Sequence, residues 1–76
     1  MDRELFGQRF KAARVKAGIK QSQAAKLLGV RRQRIAEYDR GLRVPTLDRL
    51  LEIAEKLGLN IQDILPPITR KEKRQR

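Results

Sequence analysis

The sequence predicts an all-α fold, a compact bundle of five short helices around one hydrophobic core. Apolar residues recur three and four positions apart along most of the 76 residues, which is the period of an amphipathic helix. No segment shows the period of two that a half-buried strand requires. Glycine and proline interrupt the pattern at short intervals and divide it into segments. The chain is long enough for one domain with a modest core, and it has no cysteine to form disulfide bridges.

The first helix is expected over about residues 2–17. Phe6 and Phe10 lie four positions apart, and Ala13 continues the same face. Asp2 is a suitable N-cap, because its carboxylate can accept a hydrogen bond from a backbone N–H of the first turn. Gly18 supplies the stop signal at the other end.

The second and third helices are expected over about residues 21–28 and 32–40, with only three residues between them. Gly29 opens this connection, where the chain is expected to need a left-handed backbone conformation. Ile35 and Tyr38 are three positions apart and are expected to point inward. Two helices of about two turns joined by such a short, glycine-containing turn are typical of a helix-turn-helix.

The fourth helix is expected to begin after Thr46, a good N-cap that follows Pro45, and to end at Gly58. Asn60 is expected to cap a short fifth helix that ends at the Pro66-Pro67 pair. Five apolar residues are expected to form the buried face of the fourth helix: Leu47, Leu50, Leu51, Ala54 and Leu57.

The charge balance predicts a polyanionic partner. Lysine and arginine number 19 against 9 acidic residues, for a net charge of +10. Nucleic acid is the first expectation and an anionic membrane surface the second. The sequence has no apolar run long enough for a membrane span and no signal-peptide pattern, so we expect a cytoplasmic protein and no membrane partner. The absence of histidine and cysteine argues against an enzyme and against a bound metal or cofactor.

Composition divides the chain into a domain over residues 1–65 and a basic tail over residues 66–76. The tail has almost no apolar residues after Ile68, and we expect it to be disordered. It serves either as a solubilising terminus or as an arm that contacts DNA phosphates, and the sequence leaves both readings open.

Several short motifs between residues 14 and 46 occur together and in order. They are Arg14, Gly18-Ile19, Gln21, Ala24-Ala25, Gly29-Val30, Ile35, Tyr38-Asp39, Gly41 and Pro45-Thr46. With these motifs, residues 6–65 resemble the lambda-repressor-like (Cro/C1-type, XRE-like) helix-turn-helix family. The resemblance implies a regulator of transcription that binds double-stranded DNA. It also implies a structural ion pair between Arg14 and Asp39, although the family usually has the longer Glu at the second position.

The chain departs from the family at two helix starts. The family usually has Ser or Thr before each helix of the pair, and this chain has Lys20 and Arg31 there. Each lost cap costs about 1 kcal/mol. A DNA phosphate at the helix N-terminus would offset that loss. The alternative is that the fold tolerates two helices with weak N-caps and that no phosphate binds there.

The outward face of the third helix carries the side chains expected to read bases. With Ile35 and Tyr38 turned inward, this face holds Arg32, Gln33, Ala36, Glu37 and Arg40, of which the first four are expected to read bases. In the major groove, arginine pairs with guanine, glutamine with adenine and glutamate with the cytosine amino group, and alanine contacts the thymine methyl. The resemblance supports positions 32, 33 and 37 as base readers.

A second set of residues is expected to contact phosphates, which positions the protein without reading sequence. Gln21 belongs to it by resemblance, since the family uses a glutamine there to contact phosphate and to brace the recognition helix. Arg34 is expected to reach either a base or a phosphate. The full set is Gln21, Lys20, Arg31, Arg34, Arg40 and Arg43.

The C-terminal part of the domain has more apolar residues than capping a small core requires. We therefore expect a homodimer interface formed by Ile53, Leu59, Ile61, Ile64, Leu65 and Ile68. The alternative is that these residues only close the monomer core. The predicted function is a repressor that acts as a homodimer on a pseudo-palindromic operator, with no small-molecule effector. A rival hypothesis is an antitoxin-type module that binds a toxin as its partner protein and regulates its own promoter. Polymerase is a second candidate for a protein partner.

Overall fold

Five α-helices form the domain, as the sequence predicted. The computed structural model describes residues 2–65. The helices are α1 (Arg3–Lys16), α2 (Gln21–Leu28), α3 (Arg32–Asp39), α4 (Leu47–Leu57) and α5 (Ile61–Ile64). Within the described range there is no strand, and no helix is both long and apolar enough to cross a membrane. Residues 66–76, the predicted tail, lie outside the described residues.

Three of the five helices begin with a side-chain cap. Asp2, Thr46 and Asn60 each accept a hydrogen bond from a backbone N–H in the first turn of α1, α4 and α5. Such a bond satisfies one of the N–H groups that a helix start leaves without an intrahelical partner. Lys20 and Arg31 precede α2 and α3 and make no side-chain cap bond. The two helices of the helix-turn-helix are therefore the two without a side-chain cap.

An aromatic cluster ties α1 to α3. Phe6 and Phe10 stack with ring centroids 5.7 Å apart, and the ring of Tyr38 meets both edge-on at 6.1 and 5.7 Å. Ile35 is fully buried beside them. Burying Ile35 and Tyr38 sets the rotation of α3 about its axis, because residues three apart share one helix face. The rest of the core consists of Ala24, Ala25, Leu28, Leu50, Ile53, Ala54, Leu57 and Ile64.

The buried face of α4 differs from the one expected. Leu47 and Leu51 are 57% and 50% exposed, whereas Ile53 is completely buried. The apolar residues of α4 form one broad face, and the line along it that packs on the core runs through Leu50, Ile53 and Leu57. Neighbouring helices, and not the pattern of α4 itself, select that line.

The same result corrects part of the predicted dimer interface. Ile53 and Ile64 have no exposed surface within the monomer, so neither is available to a second copy. Both residues close the core, as the alternative interpretation held. Leu59, Ile61 and Leu65 pack against the core and remain only partly buried. Ile68 lies outside the described residues.

A close backbone approach fixes α1 against the end of α3. A Cβ atom added to Gly7 would lie 2.7 Å from the backbone nitrogen of Gly41. Gly41 itself has a φ of +71°, and a Cβ atom there would lie 2.6 Å from the carbonyl oxygen of Arg3. Only glycine suits both positions, because each approach leaves no room for a side chain. The N-terminal half of α1 therefore rests directly on the turn that follows α3.

Candidate nucleic-acid interface

The turn between α2 and α3 sets the direction of the third helix. Gly29 ends α2 in the left-handed conformation, with a φ of +69°, and the backbone N–H of Val30 donates to the carbonyl oxygen of Ala25 at 3.0 Å. The left-handed backbone predicted at Gly29 is confirmed. Because this turn is short, α3 leaves it packed against α2 and keeps one face towards solvent.

The structure places all four predicted base readers on that outward face of α3. Arg32 and Gln33 are exposed, and Ala36 and Glu37 are half-buried. They occupy neighbouring positions on the helix surface because positions three and four apart lie one above the other. We call these four residues the reading face.

A buried ion pair joins α1 to the end of α3. A terminal guanidinium nitrogen of Arg14 lies 2.5 Å from Asp39 Oδ2, and the two side chains are 6% and 4% exposed. Arg14 also donates to the carbonyl oxygen of Ile19 at 2.8 Å. Among the described residues, Arg14 Nε and Asp39 Oδ1 have no hydrogen-bond partner. The short aspartate therefore makes a single contact with the guanidinium instead of the two parallel bonds that a bidentate pair makes.

Gln21 links this buried pair to the reading face. Its Nε2 donates to Asp39 Oδ2 at 2.9 Å, and its Oε1 accepts from Arg32 Nη1 at the same distance. Gln21 was predicted to contact phosphate and to brace the recognition helix. In the structure both ends of its amide are used within the protein, so the bracing contact is present. Residues of α1, α2 and α3 are thus joined in one chain of hydrogen bonds.

Glu37 takes part in a second polar cluster at the far side of the reading face. Arg43 Nε donates to Glu37 Oε1 at 3.0 Å, and Arg34 Nε lies 3.9 Å from the same oxygen. From the sequence, Glu37 was expected to read a base and both arginines to contact phosphates, and this cluster was not predicted. Helical spacing could not predict the contact between Glu37 and Arg43, because Arg43 lies in the loop after α3.

An open cleft of about 440 Å³ runs beside this cluster. Its walls combine the turn before α3, the outer side of α3 and the following loop. The charged and amide side chains along it are Arg31, Gln33, Arg34, Glu37 and Arg43. Three guanidinium groups and one carboxylate give the cleft an excess of positive charge.

The other predicted phosphate contacts lie on the exposed surface. Lys20 and Arg31 are exposed at the uncapped starts of α2 and α3, and Arg40 is exposed at the end of α3. No acidic partner lies within salt-bridge distance of these three residues in the described part of the chain. Their charges therefore remain available to an anion.

Comparison with known proteins gives a family match over most of the domain. Residues 10–64 match the model of the helix-turn-helix family. The chain belongs to the helix-turn-helix family. This confirms the resemblance to Cro/C1-type regulators, the all-α fold, and the prediction of a DNA-binding transcriptional regulator instead of an enzyme.

Individual relatives agree with that assignment. This helix-turn-helix protein is 31% identical over 67 residues to the uncharacterized HTH-type transcriptional regulator YazB of Bacillus subtilis (strain 168). The aligned residues cover 88% of this chain and 97% of the relative. The restriction-modification controller protein C.AhdI from Aeromonas hydrophila has a similar structure, with a TM-score of 0.74 and 30% identity over 84% of this chain and 97% of the other. The clp gene regulator ClgR from C. glutamicum shares the fold, with a TM-score of 0.76 and 22% identity over 84% of this chain and 83% of the other.

Proposed function

We propose that this protein is a repressor that binds a pseudo-palindromic operator as a homodimer, with α3 of each copy in the major groove. The observation that supports this most strongly is the rotation of α3. Because Ile35 and Tyr38 are buried, the side chains that can contact base edges lie together on the opposite face. An α-helix with such a face fits the width of the major groove.

The two exposed members of the reading face suit purine recognition. Arg32 has the fork of donors that matches O6 and N7 of guanine, and Gln33 has the donor and acceptor that match N7 and N6 of adenine. The bond from Gln21 restrains the Arg32 guanidinium before DNA arrives. A side chain that is already ordered loses less conformational entropy on binding.

The uncapped starts of α2 and α3 are proposed as the phosphate anchors. Each start combines unbonded N–H groups with a cation, Lys20 or Arg31. A phosphate oxygen can accept from the N–H groups and pair with the cation at the same time. Arg34 within α3 and Arg40 at its C-terminal end add positive charge to the recognition helix. This supports the interpretation in which DNA replaces the lost side-chain caps.

Dimerisation supplies the second recognition helix that a specific operator requires. Two half-sites read from one side of B-DNA lie about 34 Å apart, so one helix alone contacts only one half-site. Leu47 and Leu51 lie one turn apart on α4 and are at least half exposed, and they replace Ile53 and Ile64 in the proposed interface. Partly buried Leu59, Ile61 and Leu65 add apolar surface nearby in the sequence. Such a dimer would repress by occupying the operator, and its cytoplasmic location follows from its DNA target.

Selection from random duplexes tests this proposal. The wild-type protein is expected to enrich a motif with two-fold symmetry. Arg32→Ala is expected to relax the preference at one position of each half-site, with a loss of discrimination of about 1–3 kcal/mol. Arg40→Ala is the matched control: it is expected to weaken binding to all sequences about equally and to reduce the salt dependence. The proposal fails if no motif is enriched, and the division between readers and anchors fails if both variants behave alike.

A further inference from the structure

Glu37 is held by one of its two carboxylate oxygens. Arg43 Nε donates to Oε1 at 3.0 Å, and Arg34 Nε approaches the same oxygen at 3.9 Å. Within residues 2–65 no hydrogen bond or ion pair reaches Oε2. The carboxylate is thus fixed at one oxygen and keeps an acceptor at the other.

Such an arrangement solves a problem that an acidic residue meets at a DNA surface. Phosphates repel a carboxylate, and a freely rotating glutamate would turn away from the duplex. A guanidinium bonded to one oxygen offsets that repulsion and restricts the rotamer. Arg43 comes from the loop after α3 and Arg34 from the preceding turn of the same helix, so two cations from different segments approach the same carboxylate oxygen. The ordering cost is then met in the free protein and not on binding.

The surroundings of Glu37 favour a base amino group as the ligand of Oε2. Glu37 lines the open cleft together with Gln33, a member of the reading face, and with three arginines. A carboxylate oxygen can only accept, so it is repelled by the acceptors O6 and N7 of guanine and by O4 of thymine. The N6 amino group of adenine also donates, but it lies between two acceptors, N7 of the same base and O4 of the paired thymine, whereas the amino group of cytosine has an acceptor on one side only. The N4 amino group of cytosine donates into the major groove and is the partner that a glutamate normally takes there.

We propose that Arg43 is a positioning residue for Glu37 and not a phosphate anchor. By holding Oε1, Arg43 presents Oε2 to the amino group of a cytosine and so determines the base preference at one position of each half-site. This assignment rests on the proposed placement of α3 in the major groove. It replaces the phosphate-contact role that sequence analysis predicted for Arg43.

The test compares base preferences and salt dependence for wild-type protein, Arg43→Ala, Glu37→Ala and the double variant on duplexes from the random selection. Arg43→Ala is expected to reduce the preference for cytosine at one half-site position by roughly tenfold and to leave the other positions unchanged. Glu37→Ala is expected to affect the same position, and the double variant is expected to lose no more than Glu37→Ala alone. The slope of log affinity against log salt is expected to stay near the wild-type value in Arg43→Ala.

Two further variants make the outcome decisive. Arg40→Ala is the control for the loss of a phosphate contact, and it is expected to lower the magnitude of that slope by about 1. Arg43→Lys keeps the charge but loses the planar donor group, so it is expected to retain only part of the wild-type preference for cytosine. The inference is overturned if Arg43→Ala weakens all duplexes equally and lowers the slope as Arg40→Ala does. A wild-type protein that enriches no motif would overturn the proposed function as well.

Discussion

Replacing Asp39 with alanine is expected to lower the free energy of unfolding by about 3–5 kcal/mol. The substitution leaves the Arg14 guanidinium buried, with a side chain only 6% exposed, and without its counter-ion. It also removes the acceptor of the Gln21 amide. The loss is large relative to the 5–15 kcal/mol that stabilises ordinary domains. Urea unfolding followed by circular dichroism measures it.

Two variants separate the buried charge from other causes. Glu52→Ala breaks ion pairs of Glu52 with Arg49 and Lys56 on the exposed surface of α4, and it is expected to cost no more than about 1 kcal/mol. The double variant Arg14→Met, Asp39→Leu removes both charges and is expected to be more stable than Asp39→Ala. A loss below about 1 kcal/mol in Asp39→Ala would contradict a dry, buried ion pair.

Gly41→Ala is expected to cause the second large loss, about 3 kcal/mol, for two separate reasons. A residue other than glycine is strained at a φ of +71°, which costs about 1–2 kcal/mol. The added Cβ would also lie 2.6 Å from the carbonyl oxygen of Arg3 and 3.1 Å from the Cα of Glu4. These are backbone atoms, so α1 must move away from the turn after α3, at an overpacking cost of about 1–3 kcal/mol. Thermal and urea unfolding both measure the change.

Gly58→Ala is the matched control for Gly41→Ala. Gly58 has a similar φ of +68°, but nothing in the described structure lies within 4 Å of its added Cβ. It is therefore expected to show the conformational cost alone, about 1–2 kcal/mol. Equal losses in the two variants would show that the close approach of α1 contributes nothing to stability.

The sequence predicted the helices well because their ends carry strong local signals. Asp2, Thr46 and Asn60 have the side chains that cap helices, and Gly29 has the freedom that a left-handed turn requires. The rotation of α3 was also predictable, since Ile35 and Tyr38 are its large apolar side chains. The apolar face of α4 is broad, and the choice of Ile53 at one edge over Leu51 at the other depends on the helices packed against it.

The polar clusters of the interface were predictable only in part. Position 21 was identified through the family resemblance, but its two bonds, to Asp39 and Arg32, depend on how three helices meet. The pair of Glu37 and Arg43 depends on the path of a loop that has no periodicity. Gly7 gave no signal at all, because a glycine inside a helix shows its role only through the neighbour that approaches it.

The most direct test of the proposed DNA interface is a map of backbone amide chemical-shift changes when the selected duplex is added to isotope-labelled protein. If the reading face of α3 meets DNA, the largest changes are expected at residues 31–37 and at the start of α2, and small changes are expected at Val15 and Ala12 on α1. Large changes confined to α1 and α5, with residues 31–37 unaffected, would contradict this interface.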